Sequence, residues 1–275
     1  MRVNLIGANG FVGTGLRLFL AAQPGVELAA ITRDNYESFK GGPAEVTIDV
    51  SGNSKKFLSD QQPLLDMDLT VVHRLRTLRD FPAALQVHIS SVDVYDDLTS
   101  QRTTAEDAPV NLAAASHYGL HKLLAEQVVQ HYAADWLILR LAGMVGPGLR
   151  KNPVFDILNG QPLRIHPDSR YQFMHTGEVA RILWELLLAK TRQQVFNVCG
   201  EGLISPREIA ALAGQALDLT LLPPGQVPRI VDVNVAKLRK FTPIPRTEET
   251  IARFVSETIP ASAKGAVPFQ PRPTA

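Results

Sequence analysis

The chain opens with Met1-Arg-Val-Asn-Leu-Ile-Gly-Ala-Asn-Gly-Phe-Val-Gly-Thr-Gly-Leu16, and this segment is the most informative about its fold. The apolar run Val3 to Ile6 predicts a short buried strand, and apolar residues recur at helical spacing from Leu16. Between them, glycines at every third position predict a tight turn that directs backbone N–H groups and a positive helix end at a pyrophosphate. We therefore expect a nucleotide site here, the alternative being a glycine-rich turn that binds no ligand.

Length and composition are those of an ordinary globular protein. A chain of 275 residues can form one large domain, or one domain with a small lobe. Its net charge of +1 gives no reason to expect nucleic acid or a membrane surface as a partner. The single cysteine, Cys199, allows no internal disulfide and is expected in the core. No apolar run has the length of a membrane span and Arg2 leads directly into a strand, so we expect a soluble cytoplasmic protein.

Alternating apolar runs predict the fold class. We predict strands after the first at residues 26–31, 45–50, 69–73, 85–89 and 136–141, and an amphipathic helix within residues 110–132. This alternation predicts an α/β protein with a Rossmann-type doubly wound parallel sheet. Only residues 74–84 separate the fourth and fifth predicted strands, whereas a parallel crossover needs a dozen or more residues. We therefore expect that the helix in this link is reduced to a stub.

The domain organisation is predicted from a change in the pattern of strands and helices near residue 150. We assign residues 1–150 to a nucleotide-binding domain, to which residues 171–200 return, and residues 151–260 mainly to a smaller C-terminal substrate lobe. Short strands at 163–166 and 196–198 and helices near 178–190 and 206–216 are expected after residue 150. Residues 261–275 are rich in Pro and Ala and are expected to be a loose tail.

A phenol and an ammonium lie four residues apart on the predicted long helix. Tyr118 and Lys122 then share one helix face, and the Lys122 charge is expected to lower the pKa of Tyr118, as proton transfer near neutral pH requires. Such a pair also occurs by chance as a half-buried Tyr beside a solvated Lys. Ser91, however, follows the strand predicted at 85–89, at the sheet edge where ligands bind. The ordered set of glycine turn, strand-end Ser and Tyr/Lys pair is much more specific than any one part.

From residue 1 to about residue 255 the chain resembles the extended short-chain dehydrogenase/reductase family, the NAD(P)-dependent epimerase/dehydratase group. The resemblance rests on collinear motifs: Gly7-Ala-Asn-Gly-Phe-Val-Gly13, Ser90-Ser-Val-Asp-Val-Tyr95, Tyr118-Gly-Leu-His-Lys122, Phe173-Met-His-Thr-Gly-Glu-Val-Ala180 and Phe196-Asn-Val-Cys-Gly200. It implies that Tyr118 is the general acid/base, that Ser91 hydrogen-bonds the same substrate oxygen, and that Lys122 holds the nicotinamide ribose. It further implies cofactor contacts at Gly7, Asn9, Gly10, Phe11, Val12, Gly13, Asp49, Val50 and Leu75.

The cofactor itself is predicted from the end of the second strand. An acidic residue there accepts the ribose hydroxyls of NAD, whereas a basic one meets the 2′-phosphate of NADP. The strand is followed by Thr32-Arg33-Asp34. Arg33 favours NADP as the cofactor, and Asp34 leaves NAD as the alternative.

The resemblance implies an oxidoreductase or epimerase of a nucleotide-linked sugar or a similar small hydroxyl or carbonyl substrate. A 4,6-dehydratase is disfavoured, because Val92 stands where dehydratases carry an acid after the catalytic hydroxyl. The same chemistry on a non-sugar carbonyl metabolite and a non-catalytic NAD(P)-binding sensor remain as alternatives. Relatives form dimers through the helix of the 74–84 link, so the expected stub puts a homodimer in doubt. No residue spacing predicts a metal site.

Overall fold

The centre of the molecule is a six-stranded parallel sheet. The computed structural model describes residues 1–258, so the predicted tail at 261–275 and the last residues of the predicted lobe lie outside the described part. The large sheet has the order β2-β1-β3-β4-β5-β8, and a small parallel pair is formed by β6 and β7. The strands are Arg2–Ile6 (β1), Glu27–Ile31 (β2), Ala44–Asp49 (β3), Ala83–Ser91 (β4), Trp136–Leu141 (β5), Gly143–Val145 (β6), Phe173–His175 (β7) and Gln194–Val198 (β8). The predicted fold class is confirmed.

The register brings the carboxyl ends of the central strands to one edge. Ile6 pairs with Ile31 on one side and with Asp49 on the other. Further along the sheet Ser91 pairs with Leu141. The chain passes from β1 outward to β2 and then to β3 on the opposite side of β1, so the winding direction reverses there. Ligands of doubly wound sheets bind at such a reversal, in the crevice at the carboxyl ends.

Helices cover both faces of the sheet. They are Phe11–Ala21 (α1), Tyr36–Phe39 (α2), Lys56–Gln61 (α3), Pro63–Met67 (α4), His73–Asp80 (α5), His117–Tyr132 (α6), Pro153–Leu158 (α7), Thr176–Leu188 (α8), Pro206–Ala213 (α9), Ala236–Arg239 (α10) and Thr247–Thr258 (α11). A π-helical turn, Asp68–Val72, joins α4 to α5. No helix within residues 1–258 combines the length and the apolar character that a membrane crossing requires.

The two faces of the sheet differ in polarity. Leu85, Val87 and Ile89 of β4 belong to the main apolar core, which α1 and α8 cover. The alternate residues of β4, among them His88 and Ser90, are also buried and point to the other face. That face carries α5 and α6, so polar groups are enclosed between these helices and the sheet.

The strand predicted at residues 69–73 is wrong, and so is the short link derived from it. These residues form the π-helical turn and the start of α5, and the whole connection from β3 to β4 spans residues 50–82. The buried positions of this helical run are polar, namely Asp66, Thr70, Arg74 and Thr77, and recur at helical spacing. Apolar residues such as Leu69 and Val72 are exposed instead, which is why a pattern based on apolar residues misidentifies the segment.

The remaining predicted elements have different outcomes. The long helix, expected within residues 110–132, is His117–Tyr132, and the Ser116 side chain caps it by accepting a hydrogen bond from the Gly119 backbone N–H. The strand predicted at residues 163–166 is wrong, since these residues form no strand. The strand predicted at residues 196–198 is present as Gln194–Val198 and pairs with β5 in the large sheet. Residues after 150 also build a second apolar cluster from α7, α9 and α11, of which Ile157, Ile209 and Ile251 are members.

Candidate active site

The glycine turn after β1 has the geometry that a bound pyrophosphate needs. Gly7 has a φ of +83°, and a Cβ at Gly13 would lie 2.2 Å from the Gly7 carbonyl oxygen. Only glycine avoids both the unfavourable φ and the clash. Gly10 precedes α1, whose first turn has no side-chain cap and no acidic residue. The N–H groups of that turn are therefore available to an anion, and the residues fit the phosphates of a dinucleotide.

The loop after β3 connects this turn to Lys122. A Cβ built at Gly7 would lie 3.1 Å from the backbone N of Ser51. Next along the loop is Gly52, with a φ of +110°, and a Cβ built there would lie 3.9 Å from the Lys122 ammonium. Lys122 is buried. The fold therefore places Lys122 beside the glycine turn, although the two are far apart in sequence.

The three predicted catalytic residues lie together at the carboxyl edge of the sheet. The Lys122 ammonium is 5.5 Å from the centroid of the Tyr118 ring. Helix α6 approaches the exit of β4 so closely that a Cβ on Gly119 would lie 2.0 Å from the Asp93 carbonyl oxygen. Ser91 ends β4 two residues before Asp93. This close approach brings the Ser91 hydroxyl next to the start of the Tyr/Lys helix.

The electrostatics of Tyr118 differ from the prediction. Burial is the main cause that raises the pKa of Tyr118, and the charges of Asp93 and Asp66 raise it further, while Ser91 acts in the opposite direction. Burial, assisted by the charge of Arg74, lowers the pKa of Lys122 to about 8. Without ligands, Tyr118 is therefore a protonated phenol at neutral pH. The expected lowering of its pKa by Lys122 is wrong for this state.

A cluster of charges that the motifs did not single out borders Ser91. The Ser91 hydroxyl donates to the Asp93 carboxylate at 3.0 Å. The same carboxylate lies 2.6 Å from the Lys56 ammonium and 3.0 Å from the Arg229 guanidinium. Burial acts to raise the pKa of Asp93, but the two cations hold it below its usual value. Lys56 and Arg229 belong to segments far from any motif, so the sequence carries no signal for them.

A second contact joins the C-terminal part of the chain to the loop after β3. The Lys151 ammonium donates to the Ser54 backbone carbonyl and lies 3.2 Å from the Ser54 hydroxyl. Burial, with the charges of Lys55 and Lys56, lowers the pKa of Lys151. Residues after 150 thus meet the loop after β3 in this contact, as they meet the exit of β4 through Arg229.

The residues predicted to contact the adenosine side of the cofactor differ in their exposure to solvent. Arg33 and Asp34 follow β2 and are both exposed. Asp49 ends β3 with its carboxylate in an ion pair with Arg74, and both side chains are buried. Leu75 is expected after a strand, but it lies inside α5 and is half-buried, so the reason for that expectation is lost.

A buried network of polar side chains holds α6 against the sheet. Glu126 accepts hydrogen bonds from Ser90 at 2.6 Å and from Arg140 at 2.7 Å. Nearer the helix start, His121 lies 2.7 Å from the carboxylate of Asp66, which also accepts from Asn53. These contacts tie α6 to β4, to β5 and, through Asp66 of α4, to the loop after β3, and so fix the direction in which Tyr118 and Lys122 point.

Part of the chain matches a known protein family. Residues 65–199 match the model of the NAD dependent epimerase/dehydratase family. The matched segment includes Ser91, Tyr118 and Lys122. The resemblance that the motifs predict is therefore confirmed.

Solved structures share the fold over nearly the whole chain. The dTDP-4-dehydrorhamnose reductase of Bacillus anthracis, in complex with NADP, has a TM-score of 0.75 at 17% identity and covers 93% of this chain and 98% of its own. The UDP-glucose 4-epimerase of Thermus thermophilus, in complex with NAD, has a TM-score of 0.74 at 20% identity and covers 94% of this chain and 99% of its own. Proteins of this fold thus bind either dinucleotide.

One curated protein matches a short part of the chain. The probable ligand-gated ion channel 46 of Caenorhabditis elegans is 34% identical over 85 residues, which are 29% of this chain. The match covers only 17% of that protein's length, and no activity is inferred from it.

Proposed function

We propose that this chain belongs to the NAD dependent epimerase/dehydratase family, whose model matches residues 65–199, and is an NAD(P)-dependent reductase or epimerase. Its substrate would be a nucleotide-linked sugar or a similar small molecule with a hydroxyl or carbonyl group. The observation that carries the proposal is the convergence of Ser91, Tyr118 and Lys122 at the sheet edge, with Lys122 also bordering the loop beside the glycine turn.

The proposed acid/base is Tyr118. Because burial and nearby carboxylates raise its pKa, the phenol holds its proton at neutral pH and is suited to protonate a substrate carbonyl oxygen. Ser91 would donate a hydrogen bond to that same oxygen. Lys122 would hold the nicotinamide ribose and, when charged, would favour the phenolate left after proton transfer. When bound, the nicotinamide would supply or accept the hydride.

The cations beside Ser91 support an anionic substrate. Lys56 and Arg229 both contact Asp93 and are about half exposed, so each can also reach a ligand that enters from solvent. A diphosphate accepts hydrogen bonds from such groups, and guanidinium is well matched to phosphate oxygens. Two cations beside Ser91 therefore favour a nucleotide-linked substrate over a neutral carbonyl metabolite.

A 4,6-dehydratase is disfavoured in this proposal. Val92, directly after Ser91, is apolar and buried and offers no acid to a leaving hydroxyl. The nearest carboxylate, Asp93, already contacts Ser91 and two cations. Reduction or epimerisation needs no such additional acid.

The proposed cofactor is NADP, with NAD as the alternative. Arg33 is exposed after β2, next to the equally exposed Asp34. The peptide N–H of Gly7 donates to the Ile31 carbonyl at 3.0 Å, which brings the end of β2 beside the glycine turn. Arg33 is therefore near the position that the adenosine ribose occupies in a doubly wound fold.

We also propose a homodimer. The connection from β3 to β4, expected to contain only a stub of helix, contains helices α3, α4 and α5, so the reason for doubting a dimer no longer holds. Helix α4, the π-helical turn and α6 expose a set of apolar side chains: Leu64, Leu65, Leu69, Val72, Leu124 and Tyr132. Leu64 is 83% exposed and Tyr132 is 61% exposed. Apolar exposure on neighbouring helices favours a protein–protein contact, and a second copy presents the same face to it.

The domain division is proposed as the sequence predicts it: residues 1–150, with the return at 171–200, bind the cofactor, and residues 151–260 mainly contribute to the substrate side. The Asp93–Arg229 contact supports this division. A cytoplasmic location is proposed as well, and fractionation of cells that express the tagged chain would test it.

The experiment that tests the function combines binding and turnover. Calorimetric titration with NADPH, NADP, NADH and NAD identifies the cofactor, and NADPH oxidation is then followed with a panel of nucleotide-linked keto sugars. Tight NADP(H) binding with turnover of one sugar supports the reductase, whereas tight retention of NAD(H) with interconversion of two sugars supports the epimerase. Cofactor binding without turnover of any sugar or simple carbonyl would favour the sensor, and binding of no dinucleotide would overturn the proposal.

A further inference from the structure

The adenosine side of the proposed cofactor site contains residues from α5 as well as from the end of β2. Tyr36, three residues after Arg33, lies against His73 in the first turn of α5, with ring centroids 6.3 Å apart. The His73 Nε2 atom forms a hydrogen bond of 2.9 Å with the hydroxyl of Ser51, a residue of the loop that adjoins the glycine turn. The segment after β2 and the start of α5 therefore form two walls of one region.

A second arginine, Arg76, belongs to this region. Residues three apart on a helix are neighbours, so Arg76 lies on the same side of α5 as His73. The Arg76 side chain is exposed. Burial lowers the pKa of His73, the Asp49 carboxylate acts in the opposite direction, and the positive charges of Arg74, Arg76 and Arg33 lower it further, as expected when both exposed arginines lie within electrostatic range of that ring.

Apart from the exposed Asp34, the carboxylates nearest to His73 and Tyr36 are paired with other groups. Asp49 pairs with Arg74 in the interior. Asp80 accepts from the Tyr36 hydroxyl at 2.9 Å and lies 3.5 Å from the Lys40 ammonium. Within residues 1–258, by contrast, neither Arg33 nor Arg76 forms an ion pair, and both guanidinium groups are available to a ligand anion.

We propose that Arg76 acts with Arg33 to bind the 2′-phosphate of NADP(H) and so determines the cofactor specificity. This inference rests on the proposed function, since it assumes that a dinucleotide lies across the glycine turn. A phosphate monoester carries a charge of about −1.5 to −2 at neutral pH and three acceptor oxygens, which two guanidinium groups from opposite walls can share. The ribose of NAD has no such group for Arg76.

The test uses fragments that isolate the phosphate. Adenosine 2′,5′-bisphosphate, ADP, NADPH and NADH are titrated calorimetrically into the wild-type protein, Arg76→Ala and Arg33→Ala. Arg79→Ala is the matched control, an exposed arginine one turn further along α5. We expect Arg76→Ala to weaken binding of the bisphosphate and of NADPH by about tenfold, the scale of a hydrogen bond to a charged group. Binding of ADP and NADH should change less than twofold, and Arg79→Ala should leave all four unchanged.

Salt dependence is a second readout. NADPH affinity should fall more steeply with added salt in the wild-type protein than in Arg76→Ala, because one charge contact is missing in the variant. Equal losses of NADPH and NADH in Arg76→Ala, or no loss of either, would overturn the role of Arg76 and leave the proposed function standing. Tighter binding of NADH than of NADPH by the wild-type protein would also overturn it and would assign the ribose to Asp34. Failure to bind any dinucleotide would overturn the proposed function as well.

Discussion

The guanidinium of Arg229 lies 3.0 Å from the carboxylate of Asp93, two residues after the proposed catalytic Ser91. This pair joins the C-terminal part of the chain to the exit of β4. Lys56, the first residue of α3, contacts the same carboxylate, so three separate segments meet at one side chain. The charged cluster of Lys56, Asp93 and Arg229 is therefore the point where a substrate would contact both parts of the molecule.

Replacement of Arg229 should weaken substrate binding and leave cofactor binding unchanged. We expect Arg229→Gln to raise KM for an anionic substrate about tenfold, because a charged hydrogen bond to it is lost, while the Kd of the dinucleotide changes less than twofold. Steady-state kinetics and calorimetry measure the two quantities. Arg239→Gln, at an exposed arginine paired with Glu201, is the control. A KM that does not change, or an equal loss of cofactor affinity, would remove Arg229 from the substrate side.

Burial of Lys122 should be visible in the pH dependence of stability. The pKa of Lys122 is about 8 in the folded protein, below the usual lysine value of 10.5, so the unfolded chain binds more protons between these values. Stability must then rise with pH from about 8 to 10.5, by on the order of 3 kcal/mol from this group alone. Urea unfolding of the wild-type protein and of Lys122→Met, compared across this range, isolates the contribution. The same slope in both proteins would show that Lys122 is not desolvated.

The glycine turn should tolerate no side chain at its third glycine. A Cβ at Gly13 would lie 2.2 Å from a backbone oxygen, so Gly13→Ala must displace the turn. We expect a loss of about 2 kcal/mol or more of stability, within the range for steric strain in a packed interior, together with loss of dinucleotide binding. Gly25→Ala is the matched control, because Gly25 has a φ of +74° but open space around it. It should cost about 1 kcal/mol and leave binding intact. Cofactor affinity that survives Gly13→Ala would contradict the assigned site.

The exposed apolar face on α4 and α6 should hold two copies together. Leu64→Glu places a charge in that face and should convert a dimer into a monomer, measured by analytical ultracentrifugation. Leu188→Glu, at an exposed leucine that ends α8, should leave the oligomeric state unchanged. A wild-type protein that is monomeric at all concentrations would overturn the proposed dimer, as would a Leu64→Glu protein that remains dimeric.

Where the apolar pattern and the buried surface coincide, the sequence is enough to predict the fold. The strands β1, β3 and β5 are apolar runs in the core, and the spacing of Gly7, Gly10 and Gly13 requires a strand before them and a helix after them. The site residues Ser91, Tyr118 and Lys122 were predictable because each has a fixed place on a strand end or a helix face.

The prediction fails where the buried surface is polar. The helical run from Pro63 to Asp80 encloses Asp66 and Arg74 and exposes Leu69 and Val72, the reverse of the usual amphipathic pattern. Its β-branched residues then look like a buried strand. The Lys56–Asp93–Arg229 cluster was not predictable for a different reason, since its members come together only through the tertiary fold.

The most direct test of the catalytic account is the turnover of Tyr118→Phe with the cofactor and substrate that the wild-type protein uses. Phenylalanine keeps the ring beside Lys122 and removes only the hydroxyl. We expect turnover to fall about a hundredfold or more, while dinucleotide affinity changes less than twofold and the unfolding temperature is retained. Turnover within a few-fold of the wild-type value would show that Tyr118 does not transfer the proton, and the proposed mechanism would be wrong.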